Sequence, residues 1–181
     1  MKTLEQFLNK LILEKNVEKI FVRVGQGEKI LYDTQRGEVN EKTLFDMASV
    51  TKIIVTTSLA LIAIDKGLLS VEDTVKNFYP DCQSDITILN LLTHTIGIGH
   101  KSLDKQGNTY ENIAEKILEI PLDIAVGQNV LYSCPGFILL GKILEKIYKM
   151  PFNEAFQELV AKPLDLESTS FLPNERVDIV N

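Results

Sequence analysis

The stretch LFDMASVTKIIVTTSLALIAI, from Leu44 to Ile64, constrains this chain more than any other segment. A segment apolar nearly all round folds as a buried helix. Val50, Thr51, Ile53, Ile54 and Val55 are β-branched and favour strand by propensity. Length and the Gly67 stop, a helix C-cap, decide for helix. The apolar part from Ile53 to Ile64 is too short, and too interrupted by Thr56, Thr57 and Ser58, to span a bilayer. The anomaly is Lys52, which follows Ser49 by three residues, so that one helical face carries both.

A serine hydroxyl is a poor nucleophile until a base takes its proton. Lysine serves as that base if its pKa is lowered, which burial and a helix N-terminus both favour. The competing reading is a lysine that snorkels from the first turn of a core helix. Spacing alone does not decide, because short motifs recur by chance. Ser102 and Lys105 share it in the polar stretch GHKSLDKQGNT, where a lysine is solvated.

The rest of the chain sets the frame. Of 181 residues, 45% are hydrophobic and 24% charged, enough for a core. The net charge of −6, without a Lys/Arg cluster, argues against a nucleic-acid surface, and the absence of Trp argues against base stacking. Cys82 and Cys134 form neither a disulfide framework nor a CxxC pair. Glu5 and its polar neighbours give the N-terminus no signal-peptide character. A cytoplasmic protein without a membrane span is expected.

Leu4, Phe7, Leu8, Leu11 and Ile12 predict an amphipathic helix near residues 3–15. KIFVRV and KILYDT, separated by GQGE, predict a hairpin. Further helices are expected from Ser70, with Glu72 and Asp73 in the first turn, and over ITILNLLTHT, YENIAEKILEI and FILLGKILEKIY. Pro135 suits a first helical turn, and one more helix runs from Phe152 to Pro163. One hairpin is a marginal sheet. Either the chain is part of a larger fold, or it is a mostly helical protein with a hairpin laid on it.

Tyr132 lies in an irregular segment just before a helix, either as a packing residue or as a second proton-transfer group beside a lysine. Ser133 and Cys134 fall at the helix N-cap. Cys134 lacks a nearby basic partner to make it a nucleophile. His94, in LLTHTIG, reads as a structural hydrogen bonder, and no cluster supports a metal site. The Gly-x-Gly of VGQGEK runs into a strand, which rejects a dinucleotide loop. No cofactor is expected.

FDMASVTK, KGLLSVEDTV, ITILNLLTHTIGI, LYSCPGFILLGKILEKI and KPLDLESTSF occur in an order and spacing that resembles one family. These blocks are similar to those of the serine β-lactamase and penicillin-binding-protein-like hydrolases. The likeness is greatest to the class C β-lactamase, D-alanyl-D-alanine carboxypeptidase and esterase branch. The resemblance implies an α+β, β-lactamase/transpeptidase-like fold, of which residues 1–181 are a single truncated domain. Residues 1–45 would supply a helix and hairpin, 46–181 the helical region, with most of the antiparallel sheet missing.

It further implies that Ser49 is the acylated nucleophile, Lys52 its proton-transfer partner, and Tyr132 a general base and later acid. The Ser49 N–H would form half of an oxyanion hole. The identity of the acylation base in related Ser-x-x-Lys enzymes is disputed. Cys134, in the substrate-binding position, stands where many members have Asn. A thiol hydrogen-bonds more weakly than an amide, which moves weight from β-lactam or peptide amide recognition toward an esterase-like or unassigned substrate, a small-molecule ester or amide. The family's third element, Lys-Thr-Gly or His-x-Gly on a later strand, has no match in the chain. The alternative is therefore an inactive homologue or scaffold that needs a C-terminal fragment or second subunit to complete the sheet.

Overall fold

The computed structural model describes residues 2–14, 17–40, 42–99, 109–171 and 179–180. The chain divides into two compact units, residues 1–47 with 172–181, and residues 48–171.

In the first unit, helix α1 (Lys2–Leu13) precedes strands β1 (Ile20–Gln26) and β2 (Lys29–Arg36). The strands pair antiparallel through the tight Gly27–Glu28 turn, and the left-handed backbone of Gly27 permits that reversal. Arg23 and Asp33 face each other in register and form an ion pair at 2.6 Å. Helix α1 buries Leu8, and its Glu5 accepts a hydrogen bond from Tyr32 at 2.5 Å and pairs with Arg36 of β2. A second short sheet joins β3 (Leu44–Phe45) in parallel to Ile179–Val180.

The second unit is helical. The chain passes from a 3-10 turn (Ala48–Val50) into a π-helical stretch (Lys52–Thr57) and then helix α2 (Ser58–Asp65). The expected single helix is thus broken into three geometries. The cause lies in the β-branched run that weakens α-helix here. Thr57 Oγ1 donates to the Lys52 carbonyl at 2.9 Å and Ser58 Oγ to that of Ile53 at 3.3 Å, so side chains serve carbonyls of the widened turn. Gly67, at φ +65°, ends α2 in a Schellman motif: its N–H reaches the Ile64 carbonyl and the Leu68 N–H that of Ala63.

The helical stretch from Ala48 to Asp65 starts earlier than the apolar run. At 18 residues it is long and apolar enough, by length and composition alone, to cross a membrane. One face holds Val55, Leu59, Ala60 and Ala63 in the core, while Val50, Ile53 and Leu61 lie exposed on the other.

The helix expected from Ser70 does not form. Asp73 turns its carboxylate back onto the Ser70 N–H at 2.7 Å, and Thr74 bridges to Thr87 as in a sheet. The backbone groups a helix needs are thereby used, and only a 3-10 turn (Val75–Asn77) remains. Helix α3 (Ile88–Leu92) starts at Thr87, whose capping box with Asn90 satisfies the backbone N–H groups of both residues. Helix α4 spans Ile113–Leu118. Residues Ser102 and Lys105 lie outside the described residues.

Helix α5 (Cys134–Tyr148) is the spine of the unit. It starts on a Ser133 cap with Pro135 in its first turn, and packs on α3, α4 and α2. Its Leu139, Leu140, Ile143 and Leu144 are almost wholly buried. Helix α6 (Phe152–Phe156) and a further π-turn (Gln157–Ala161) close the core with Phe156 and Val160.

Candidate active site

Ser49, Lys52 and Tyr132 meet. The Lys52 ammonium donates to Ser49 Oγ at 3.1 Å, and the Tyr132 hydroxyl donates to the same oxygen at 2.7 Å from 83 residues away in sequence. Lys52 Nζ also lies 5.1 Å from the centre of the Tyr132 ring, a cation–π distance. Cys134 opens α5 beside them and, with Lys52, lines one cavity.

Local backbone explains how Ser49 is presented. Ala48 sits in the left-handed region at φ +41°, a costly conformation for a residue with a Cβ and one that clusters at functional sites. The π-stretch that follows carries Lys52, and such widened turns also recur at functional sites.

Tyr132 is delivered by a ladder of backbone bonds between two irregular segments. The Gly97 carbonyl accepts from Asp123 and Ile124, Thr95 accepts from Gly127, and His94 accepts from Leu131 at 2.8 Å. Gly97 adopts φ +80°, and a Cβ there would lie 2.2 Å from the Ile124 carbonyl oxygen. Only glycine fits this approach.

His94 is the platform behind Tyr132. Its ring packs, tilted, at 4.6 Å from the Tyr132 ring and 4.8 Å from that of Phe137, and its Nδ1 accepts the Ser133 N–H at 3.0 Å. Burial and the Lys52 charge push the imidazole below its ordinary value, so the ring is neutral near pH 7. It is a positioning residue, in line with the structural part that the sequence gives it.

The electrostatics of Lys52 differ from the sequence expectation. Burial is the largest single influence and pulls its pKa down, but the Tyr132 hydroxyl and the Cys134 sulfur together outweigh it, and the net direction is upward. Lys52 is therefore a standing positive charge, suited to hold Ser49 Oγ.

One polar cluster escaped the sequence reading. Lys142 and Glu145 on α5, only 17% and 13% exposed, pair at 2.5 Å. Glu145 also accepts from the Tyr110 hydroxyl and, at 2.8 Å, from the Phe152 N–H, while Lys142 Nζ sits 3.7 Å above the Tyr110 ring. Lys142 to Glu145 is an ordinary i,i+3 pair in sequence, and nothing there signals its burial.

The chain matches the β-lactamase family over residues 4–179 and belongs to it. Esterase EstB from Burkholderia gladioli is 30% identical over 183 residues, covering 87% of this chain and 45% of that protein. A β-lactamase from Providencia stuartii is 29% identical over 135 residues, 72% of this chain and 35% of that one. Among solved structures, a class C β-lactamase superposes with a TM-score of 0.85 at 23% identity, covering 99% of this chain and 53% of that chain. The chain thus spans less than half the length of these curated relatives and about half of that solved chain. The fold is α+β and β-lactamase/transpeptidase-like, and the family one of serine hydrolases.

Proposed function

We propose that Ser49 is the nucleophile of a hydrolase that cleaves carboxylic esters, and less readily amides, through an acyl-enzyme. One observation carries the reading: Ser49 Oγ lies between the Lys52 ammonium at 3.1 Å and the Tyr132 hydroxyl at 2.7 Å. In its phenolate form, Tyr132 takes the Ser49 proton as Oγ forms its bond to the substrate carbonyl carbon. The carbonyl oxygen takes up the electron pair, and the Ser49 N–H stabilises it. When the carbon–oxygen bond to the leaving alcohol breaks, Tyr132 returns the proton to that alcohol. Water then attacks the acyl-enzyme as Tyr132 takes its proton, the bond to Ser49 Oγ breaks, and Tyr132 passes that proton to Ser49 as the acid leaves. Lys52 stays charged and holds the two oxygens in place. Cys134 offers a weaker hydrogen-bonding group than an amide, which supports esters over β-lactams. A cytoplasmic setting belongs to the same proposal.

The test is a fluorophosphonate probe followed by peptide mass analysis. An adduct on the Ser49 peptide, lost in Ser49→Ala, is expected. No adduct, or one that persists in Ser49→Ala, refutes the reading.

A second reading is a chain inert by itself, completed by a C-terminal fragment or another subunit. It is supported by the exposed Val50, Ile53 and Leu61 on the nucleophile's own helical run and by the partial span of the relatives. A missing oxyanion donor alone costs about 10²–10³ in rate. Turnover by the 181-residue chain that Ser49→Ala abolishes would refute it.

A further inference from the structure

A cavity of about 680 Å³ adjoins the candidate site. Lys52 and Cys134 stand at one end, and Ile113, Phe137, Ile138 and Phe152 supply apolar walls. Gly141 leaves the space open, since a Cβ there would already touch the Phe152 ring at 3.5 Å. At the far end the Lys142 and Glu145 charges are spent on each other, and the Tyr110 hydroxyl is spent on Glu145. That end therefore offers an incoming group no unpaired charge, and a charged or strongly polar chain would be desolvated without compensation. An apolar chain meets no such penalty.

We propose that this cavity receives the acyl chain and that the substrates are esters of apolar, medium-length carboxylic acids. A volume of this order lies in the usual range of small-ligand pockets and leaves room for such a chain. The assignment rests on the serine hydrolase reading above. The acyl group, unlike the alcohol, remains bonded to Ser49 through both half-reactions. A pocket walled by Ala48, Thr51 and Lys52, on the nucleophile's own turn, therefore serves both. The acid released at the end would leave its carboxylate beside the Lys52 ammonium and its chain in the cavity.

That product supplies a probe that needs no turnover. Octanoate and butanoate are titrated calorimetrically into the 181-residue chain and into Ile138→Trp, which fills the cavity from a partly exposed position. Each methylene fully removed from water is worth about fourfold in affinity. Octanoate is expected to bind at least about tenfold more tightly than butanoate, and Ile138→Trp to reduce that ratio to within about twofold of unity. Ile113→Phe narrows the cavity from another wall and gives the same answer if Ile138→Trp fails to fold. Equal affinities, or a preference that survives both variants, overturns the pocket. Labelling by ethyl and octyl fluorophosphonates then separates the two ideas. No label on Ser49 with the octanoate preference intact overturns the hydrolase and its ester substrates, and leaves a site for apolar carboxylates. Equal labelling by both probes, with no octanoate preference, overturns the pocket and keeps the hydrolase.

Discussion

Gly97→Ala tests the mechanism by which Tyr132 reaches Ser49. The backbone at Gly97 has φ +80°, and the new Cβ would lie 2.2 Å from the Ile124 carbonyl oxygen. Holding a non-glycine residue in that region costs about 1–3 kcal/mol. The contact must also open by about 1 Å to become tolerable, which disrupts the bonds from Asp123 and Ile124 to the Gly97 carbonyl, 2.7 and 3.2 Å long. Each is worth about 0.5–1.5 kcal/mol net. The sum is about 2–6 kcal/mol, and we expect a loss near 3 kcal/mol in urea unfolding. Gly67→Ala is the control, because Gly67 has φ +65° but nothing within 4 Å of the added carbon. It carries only the conformational cost, about 1 kcal/mol. Only Gly97→Ala should also slow labelling of Ser49, since the displaced segment leads to Tyr132. Equal losses in the two variants, or a Gly97→Ala loss below about 1 kcal/mol, would refute the argument.

Other outcomes follow from the site. Tyr132→Phe removes one hydroxyl from a half-exposed ring; it should lower Ser49 reactivity by about 10²–10⁴ and leave the unfolding midpoint nearly unchanged. Because the net direction of the Lys52 pKa is upward from 10.5, its charge contributes stability fully below that pH and loses it only as pH rises through the higher folded value. A Lys52 Nζ titration by NMR with a midpoint below 10.5 would count against this. His94 has the opposite sense: with its pKa below 6.5, the stability it adds is present above 6.5 and is lost as pH falls through the lower folded value. An imidazole midpoint at or above 6.5 by proton NMR contradicts the packing described for it. Lys142→Met strands Glu145 in a poorly solvated wall and should cost about 3 kcal/mol, measured by urea unfolding.

Local signals in the sequence were legible wherever one element decides its own shape. The α1 periodicity, the hairpin around Gly27, the Gly67 stop and the Ser133–Pro135 helix start all rest on residues a few positions apart. The Ser49–Lys52 pair was legible for the same reason. The helix expected from Ser70 was wrong because its acidic first turn is overridden by a bridge to Thr87, a partner in another segment. The π-stretch was half legible: the β-branched run announced a weak α-helix but not the side-chain bonds that settle its form. The direction of the Lys52 shift depends on Tyr132 and Cys134 as neighbours in space, and no local pattern contains that. Tyr132 stood out by its place before a helix, with packing and proton transfer both open, and only the family resemblance chose between them. The Lys142–Glu145 wall escaped notice because burial is a property of the packed unit.

The separation between Ser49 and Tyr132 has a consequence for how the site comes into being. Ser49 and Lys52 become neighbours as soon as one turn of backbone forms, an event of microseconds or less. Tyr132, 83 positions further along, joins them only when the chain between is closed into a loop. Closing so long a loop has an entropic cost that packing must first repay, and such contacts form late. A nascent or partly folded chain therefore holds the serine and its lysine without the tyrosine. On the proposed mechanism, chemical competence arrives last, as a by-product of completed folding, and a reagent that reads Ser49 reactivity would also read the fraction of chains that have finished.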